Sequence, residues 1–196
     1  MATTVIGRAQ TRARKGTSQR GFSMIETVIS MAILTIGLIS LLGVFGITMA
    51  ATQDSQQDMI AKQLASESLE SIVTARNTAQ KQWADIANDT DNGIFLSGYQ
   101  PILLPGTDGI MGTVDDQAGQ YQTIREPGPD GIYGTTDDVQ LPMMNYQRKI
   151  EIKPVKDNFG NDVASLRAIN ITIQYNTPRV GRNKTYVLTS FISQFR

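Results

Sequence analysis

Acidic residues at spacings that could do chemistry lie in two short, glycine-rich stretches. Residues 105–116 read PGTDGIMGTVDD and residues 127–138 read PGPDGIYGTTDD, identical at nine of twelve positions and 22 residues apart. Each stretch carries three carboxylates, Asp108, Asp115 and Asp116 in the first and Asp130, Asp137 and Asp138 in the second. Calcium takes six to eight hard oxygens, and loops of Gly and Asp supply carboxylates together with main-chain carbonyls. Glycines at 109, 112, 131 and 134 permit the tight turns that such a loop needs. Three clustered acids repel one another unless a cation intervenes, so calcium is the expected cofactor, the second copy being the better candidate. The spacing differs from D-x-[DN]-x-[DN]-G, which excludes an EF-hand. The alternative is a pair of β-turns whose aspartates only cap and solvate them.

A second group of residues sits near the start of the chain. Gly21 and Phe22 follow a basic stretch, Glu26 follows five residues after the glycine, and residues 27–53 contain no charge at all. Twenty-seven residues of helix at ~1.5 Å per residue span ~40 Å, enough to cross a ~30 Å hydrocarbon core. The run is too long for an ordinary secretory signal, and no A-x-A pattern follows it. A carboxylate at the mouth of such a helix is costly and calls for a partner.

Basic leader, Gly21, Phe22, Glu26 and a long apolar helix together resemble the class III signal of type IV pilins and type II secretion pseudopilins. The resemblance implies cleavage between Gly21 and Phe22 by a prepilin peptidase and N-methylation of Phe22. It also implies that Glu26 pairs with the terminal amine of a neighbouring subunit during assembly. The pattern G-x-D-G-x-x-G-T-x-D-D is similar to the calcium loop of major type II pseudopilins. The strand order ending in KTYVLTSFIS resembles V-type minor pilins (type IV pilus modification proteins) and I-type minor pseudopilins. The fold implied is α+β: a long N-terminal helix, half membrane-spanning and half amphipathic, packed on a C-terminal antiparallel sheet.

The organisation expected is a leader at 1–21, a transmembrane and filament-core half-helix at 22–53, and a head at 54–196 with an inserted loop region at 105–138. The leader holds Arg8, Arg12, Arg14, Lys15 and Arg20 and no acid, leaving 13 basic against 18 acidic residues in the mature chain, or −5. Positive charge before the helix predicts a cytoplasmic N-terminus and an exported head, periplasmic or on the cell surface. The inner membrane is the partner before assembly, and other pilins or pseudopilins in a helical filament are partners after it. Acidic loops and an acidic mature chain argue against nucleic acid. Cysteine and histidine are both absent, which excludes disulfides, zinc sites and the usual nucleophile–base pairs. Adjacent aspartates point apart rather than sharing a substrate, so no enzyme is expected.

Beyond the membrane stretch, Ala61, Leu64, Ala65, Ser68, Ile72, Ala75, Ala79, Trp83 and Ile86 share one helical face, and the helix is expected to reach about Ile86. Residues 88–104 begin as a turn and then offer a short strand that Pro101 keeps at a sheet edge. Three strands follow, one around Ile150 and Ile152 that Pro154 ends, one over 166–175 and one over 185–195, forming a meander. The functional expectation is a minor-pilin-like subunit that primes or modifies a type IV pilus. A minor pseudopilin of type II secretion is one alternative, and a calcium-stabilised adhesin-like module at a filament tip is another.

Overall fold

The computed structural model describes residues 21–177 and 183–195. The expected leader, apart from Gly21, and most of the expected 176–184 loop lie outside the described residues. Among the described residues the elements are one long helix, α1 (Met24–Asn77), a short 3-10 turn (Asp89–Asp91) and six strands: β1 (Gln100–Pro101), β2 (Thr123–Glu126), β3 (Val139–Pro142), β4 (Tyr146–Lys156), β5 (Asp162–Asn176) and β6 (Asn183–Ser193). This is the α+β architecture that the resemblance implied. Contacts divide the chain into two compact units, Met1–Gly46 and Ile47–Arg196.

In the first unit, the described residues are almost wholly the start of α1, and their side chains are exposed on every side. Phe22, Met24, Ile25, Leu34, Leu38 and Leu42 are among them. The helix contains a stretch of mean hydropathy 2.5, long and apolar enough to cross a membrane.

The second unit holds the core. Ala61, Leu64, Ala65, Ser68, Ile72 and Ala75 recur at three- and four-residue intervals along α1 and are buried, as one apolar stripe requires. All of these but Ser68 join Ile150, Ile152, Ile169, Ile171, Ile173, Tyr175 and Ile192 from the sheet in one cluster. The main sheet has the order β1-β4-β5-β6, antiparallel throughout, so β4, β5 and β6 form the expected meander. Along β4, residues 146, 148, 150 and 152 are buried while residues between them are more exposed, the period-two signature of a sheet covered on one face. Pro101 pairs with Gln147 at the edge of this sheet, where its missing N–H costs nothing. Beyond the reach of β1, the Asn88 side chain takes over. Its amide donates to the Ile150 carbonyl at 2.8 Å, and its oxygen accepts from the Ile152 N–H at 2.8 Å.

Two boundaries differ from the sequence expectation. The helix stops at Asn77, not near Ile86. Ala79 adopts φ 57°, its N–H donates to the Arg76 carbonyl at 3.2 Å, and the Gln80 N–H donates to the Ala75 carbonyl at 3.0 Å. Those two bonds make a Schellman ending, with alanine where glycine is usual. Trp83 and Ile86 still reach the core, but from an irregular segment whose carbonyls at 83 and 86 accept hydrogen bonds from Arg167 Nη1. Pro154 does not end β4, because the register shifts between Pro154 and Val155 and the strand resumes to Lys156. The shift leaves residues 164–166 of β5 without a register partner on β4 beside the proline.

Candidate functional site

The N-terminal residues that the resemblance singled out come first. Gly21 and Phe22 lie just ahead of α1, and Phe22 is exposed. Ser23 opens the helix, its carbonyl accepting the Thr27 N–H at 3.2 Å and the Thr27 hydroxyl at 3.3 Å. Glu26 falls in the first helical turn, where a carboxylate is favoured by the exposed N–H groups and the helix dipole. The three residues therefore occupy one exposed stretch at the mouth of the apolar helix.

The twelve-residue repeat folds as a repeat. In the first loop, Asp108 Oδ1 accepts the Ile110 N–H at 2.9 Å, Asp116 Oδ2 accepts the Gly112 N–H at 2.8 Å, and the Thr113 hydroxyl donates to Asp115 Oδ1 at 2.6 Å. In the second loop, Asp130 Oδ1 accepts the Ile132 N–H at 2.8 Å, Asp138 Oδ2 accepts the Gly134 N–H at 2.8 Å, and the Thr135 hydroxyl donates to Asp137 Oδ1 at 2.6 Å. Gly112 and Gly134 both take left-handed backbone, φ 82° and 89°, at which a β-carbon would be strained. The threonine hydroxyls are the main reason that the carboxyls of Asp115 and Asp137 are held below the ordinary range.

What surrounds the two loops differs. The first is stitched into the head: Phe95 bridges to Thr113, the Leu96 N–H donates to the Gly112 carbonyl at 2.9 Å, and Ile110 joins the core. Two protein cations answer its charge. Lys81 Nζ lies 3.1 Å from Asp108, and Arg148 Nη2 lies 3.7 Å from Asp116. The second loop is the connection between β2 and β3, which pair from Thr123↔Pro142 to Glu126↔Val139. Arg125, 3.5 Å from Asp138, is the cation paired with it among the described residues.

Arg148 is a buried charge beside the first loop that the sequence reading missed. It is 1% exposed, donates to Ser68 Oγ on α1 at 3.1 Å, and leaves Nε and Nη2 without a hydrogen bond. Burial pushes its pKa down, and burial pushes that of Asp116 up. The usable signal was alternation: with Ile150 and Ile152 facing inward, residue 148 must face inward too, and an arginine there demands a buried partner.

As a test of calcium, the six aspartates do not converge into one oxygen cage. Among the described residues, no group of three or more acidic, histidine or cysteine side chains is arranged to hold a metal ion. In the first loop, Lys81 and Arg148 already stand where a cation would act. In the second, Asp137 Oδ2 accepts the Asp130 N–H at 3.4 Å, linking two exposed aspartates, and Arg125 faces only Asp138.

Against known families, the prokaryotic N-terminal methylation motif matches residues 16–42. The chain carries a pilin-type methylation signal. Gly21, Phe22 and Glu26 all lie within that signal, as does the first part of the apolar run. Such a signal marks type IV pilins and pseudopilins, and so points to a structural subunit. It is compatible with membrane anchoring followed by filament assembly. No curated protein and no solved structure matches the chain significantly.

Proposed function

We propose that this chain is a minor-pilin-like structural subunit that helps to prime or modify a type IV pilus. The observation that carries the proposal is the methylation signal over residues 16–42, continuous with a helix able to span a membrane. In this reading prepilin peptidase cuts between Gly21 and Phe22, Phe22 becomes N-methylated, and Glu26 meets the positive terminal amine of a neighbouring subunit. A buried carboxylate that gains a positive partner only on assembly favours the assembled state. The head then lies outside the cytoplasm.

The test is the intact mass of the membrane-fraction protein from cells with and without the peptidase. Loss of residues 1–21 together with gain of one methyl group, only when the peptidase is present, is the expected result. An uncut chain in both strains rejects the proposal. Recovery of the processed chain in sheared surface filaments, at a small fraction of the main subunit, separates a minor pilin from a secretion pseudopilin.

Calcium binding belongs to the second loop in this proposal. Among the described residues one of its three aspartates, Asp138, pairs with a protein cation, whereas two of the three in the first loop do. Calcium added to the head is expected to raise its melting temperature, and Asp137→Asn to abolish the rise. No calcium-dependent shift rejects this part.

A further inference from the structure

The repeat offers an internal comparison, because one chain shows the same loop in two settings. In the first copy, Ile110 is 1% exposed and Met111 is 7% exposed. In the second, the residues at the same positions, Ile132 and Tyr133, are 60% and 68% exposed. The backbones agree down to the turn: a β-carbon at Gly106 would strike Asp115 at 2.1 Å, and one at Gly128 would strike Asp137 at 2.3 Å. The surroundings do not agree. A β-carbon at Gly112 would meet Ile150 Cδ1 at 2.7 Å, while one at Gly134 would meet nothing within 4 Å. The first loop is therefore packed against aliphatic side chains, with Lys81 on Asp108 and Arg148 on Asp116. The second presents an isoleucine–tyrosine pair and the same acids without that slot.

We propose that the second loop is a docking element, inserting Ile132 and Tyr133 into an apolar slot on a different protein, with a lysine or arginine of that protein answering Asp130. Charge complementarity defines the partner. Asp130 corresponds to Asp108, which pairs with Lys81, and among the described residues no ion pair involves Asp130. The partner is not a second copy, because the slot of this chemistry in a second copy is already filled by its own first loop. Tyrosine suits the role, since it combines a large rigid apolar area with a hydroxyl that can stay wet at the rim. The hydrogen bonds that hold the loop's shape are internal, so little ordering is needed on binding. The inference stands on the loop geometry and does not require the filament reading.

The test places a photo-reactive benzophenone side chain at position 133 of the full-length chain in its native cells, with the same group at Val114 as control. Val114 is 80% exposed but belongs to the packed copy. The expected result is an adduct from position 133 on a different protein, at apolar residues neighbouring a lysine or arginine, several-fold stronger than from position 114. Ile132→Ser should reduce that adduct several-fold without moving the melting temperature. Adducts no stronger than from position 114 overturn the proposal. So do adducts only on lipid, on a second copy, within the same chain, or on a surface lacking apolar residues or a cation. A melting temperature lowered by that substitution overturns it too. Failure here with normal leader cleavage leaves the filament reading standing. An adduct on a protein outside any filament upholds docking and removes that reading.

Discussion

Arg148 reaches Ser68 on α1 and Asp116 in the first loop from the inward face of β4, so one side chain joins helix, sheet and loop. Removing one partner of a buried pair leaves the other charged and unanswered, which costs about 3 kcal/mol or more. Arg148→Met is expected to destabilise the head by that order in a denaturant titration. Adding Asp116→Asn should restore at least about 1 kcal/mol, because the amide oxygen still accepts the Gly112 N–H while the stranded charge is gone. Asp58 behaves in the opposite sense to Asp116. The Tyr175 hydroxyl, 2.6 Å away, is the main reason its carboxyl is held below the ordinary 3.8, and Lys184 adds to this. A lowered folded value means stability that is present above pH 3.8 and lost as the pH falls through that lowered value. Asp58→Asn should therefore flatten the acid limb of a plot of melting temperature against pH. The phenols of Tyr146, pushed up to about 12 by burial, and Tyr175, also raised, contribute on the alkaline side. Their contribution is present below the ordinary value of 10.0 and is lost as the pH climbs through the raised ones.

Among the elements, α1 shows where sequence reasoning ran true and where it did not. The stripe from Ala61 to Ala75 was legible because burial follows a 3.6-residue period. The stop after Asn77 was not, because its left-handed residue is Ala79 rather than the glycine or asparagine that announces a helix end. The left-handed region costs an alanine ~1 kcal/mol relative to glycine. Ala79→Gly should accordingly raise stability by roughly 0.5–1 kcal/mol, seen as a melting temperature about 2–4 °C higher. Strands β4, β5 and β6 were legible from alternation, whereas the short pair β2 and β3 was not. Thr123 to Glu126 alternates too little, and Val139 to Pro142 is exposed throughout, so neither shows a buried face. The twin loops were legible as a repeat of sequence. That one is packed and the other bare depends on contacts with residues 95, 148 and 150, which no local pattern records.

At the scale of the whole chain, the core lies entirely within the unit that begins at Ile47, from Ala61 to Ile192. A chain starting at Ile47 is expected to be soluble and to melt cooperatively, measured by circular dichroism and size exclusion. A non-cooperative melt would show that the first unit is needed for folding. The same chain contains no cysteine, so its cohesion rests on packing, the Asn88 and Arg148 bonds and the loop hydrogen bonds. The methylation signal over residues 16–42 was legible from type and spacing, since such a signal is written in local sequence. The placement of Arg148 depended on the sheet register.

The duplicated loop also sets the folding chain a problem of register. Two segments 22 residues apart, sharing nine of twelve residues, offer the same turn and the same leading isoleucine to a single vacancy beside Ile150. Occupation by the wrong segment would be a compact competitor to the native state, the kind of minimum that roughens a folding landscape. Discrimination falls on the next residue. Met111 is unbranched, adapts to an irregular gap and accepts from the Gln122 amide through its sulfur, while Tyr133 would bring a rigid ring in its place. Of the three positions at which the copies differ, the Met111/Tyr133 exchange is the one that bears on this choice between two pairings of the same polypeptide.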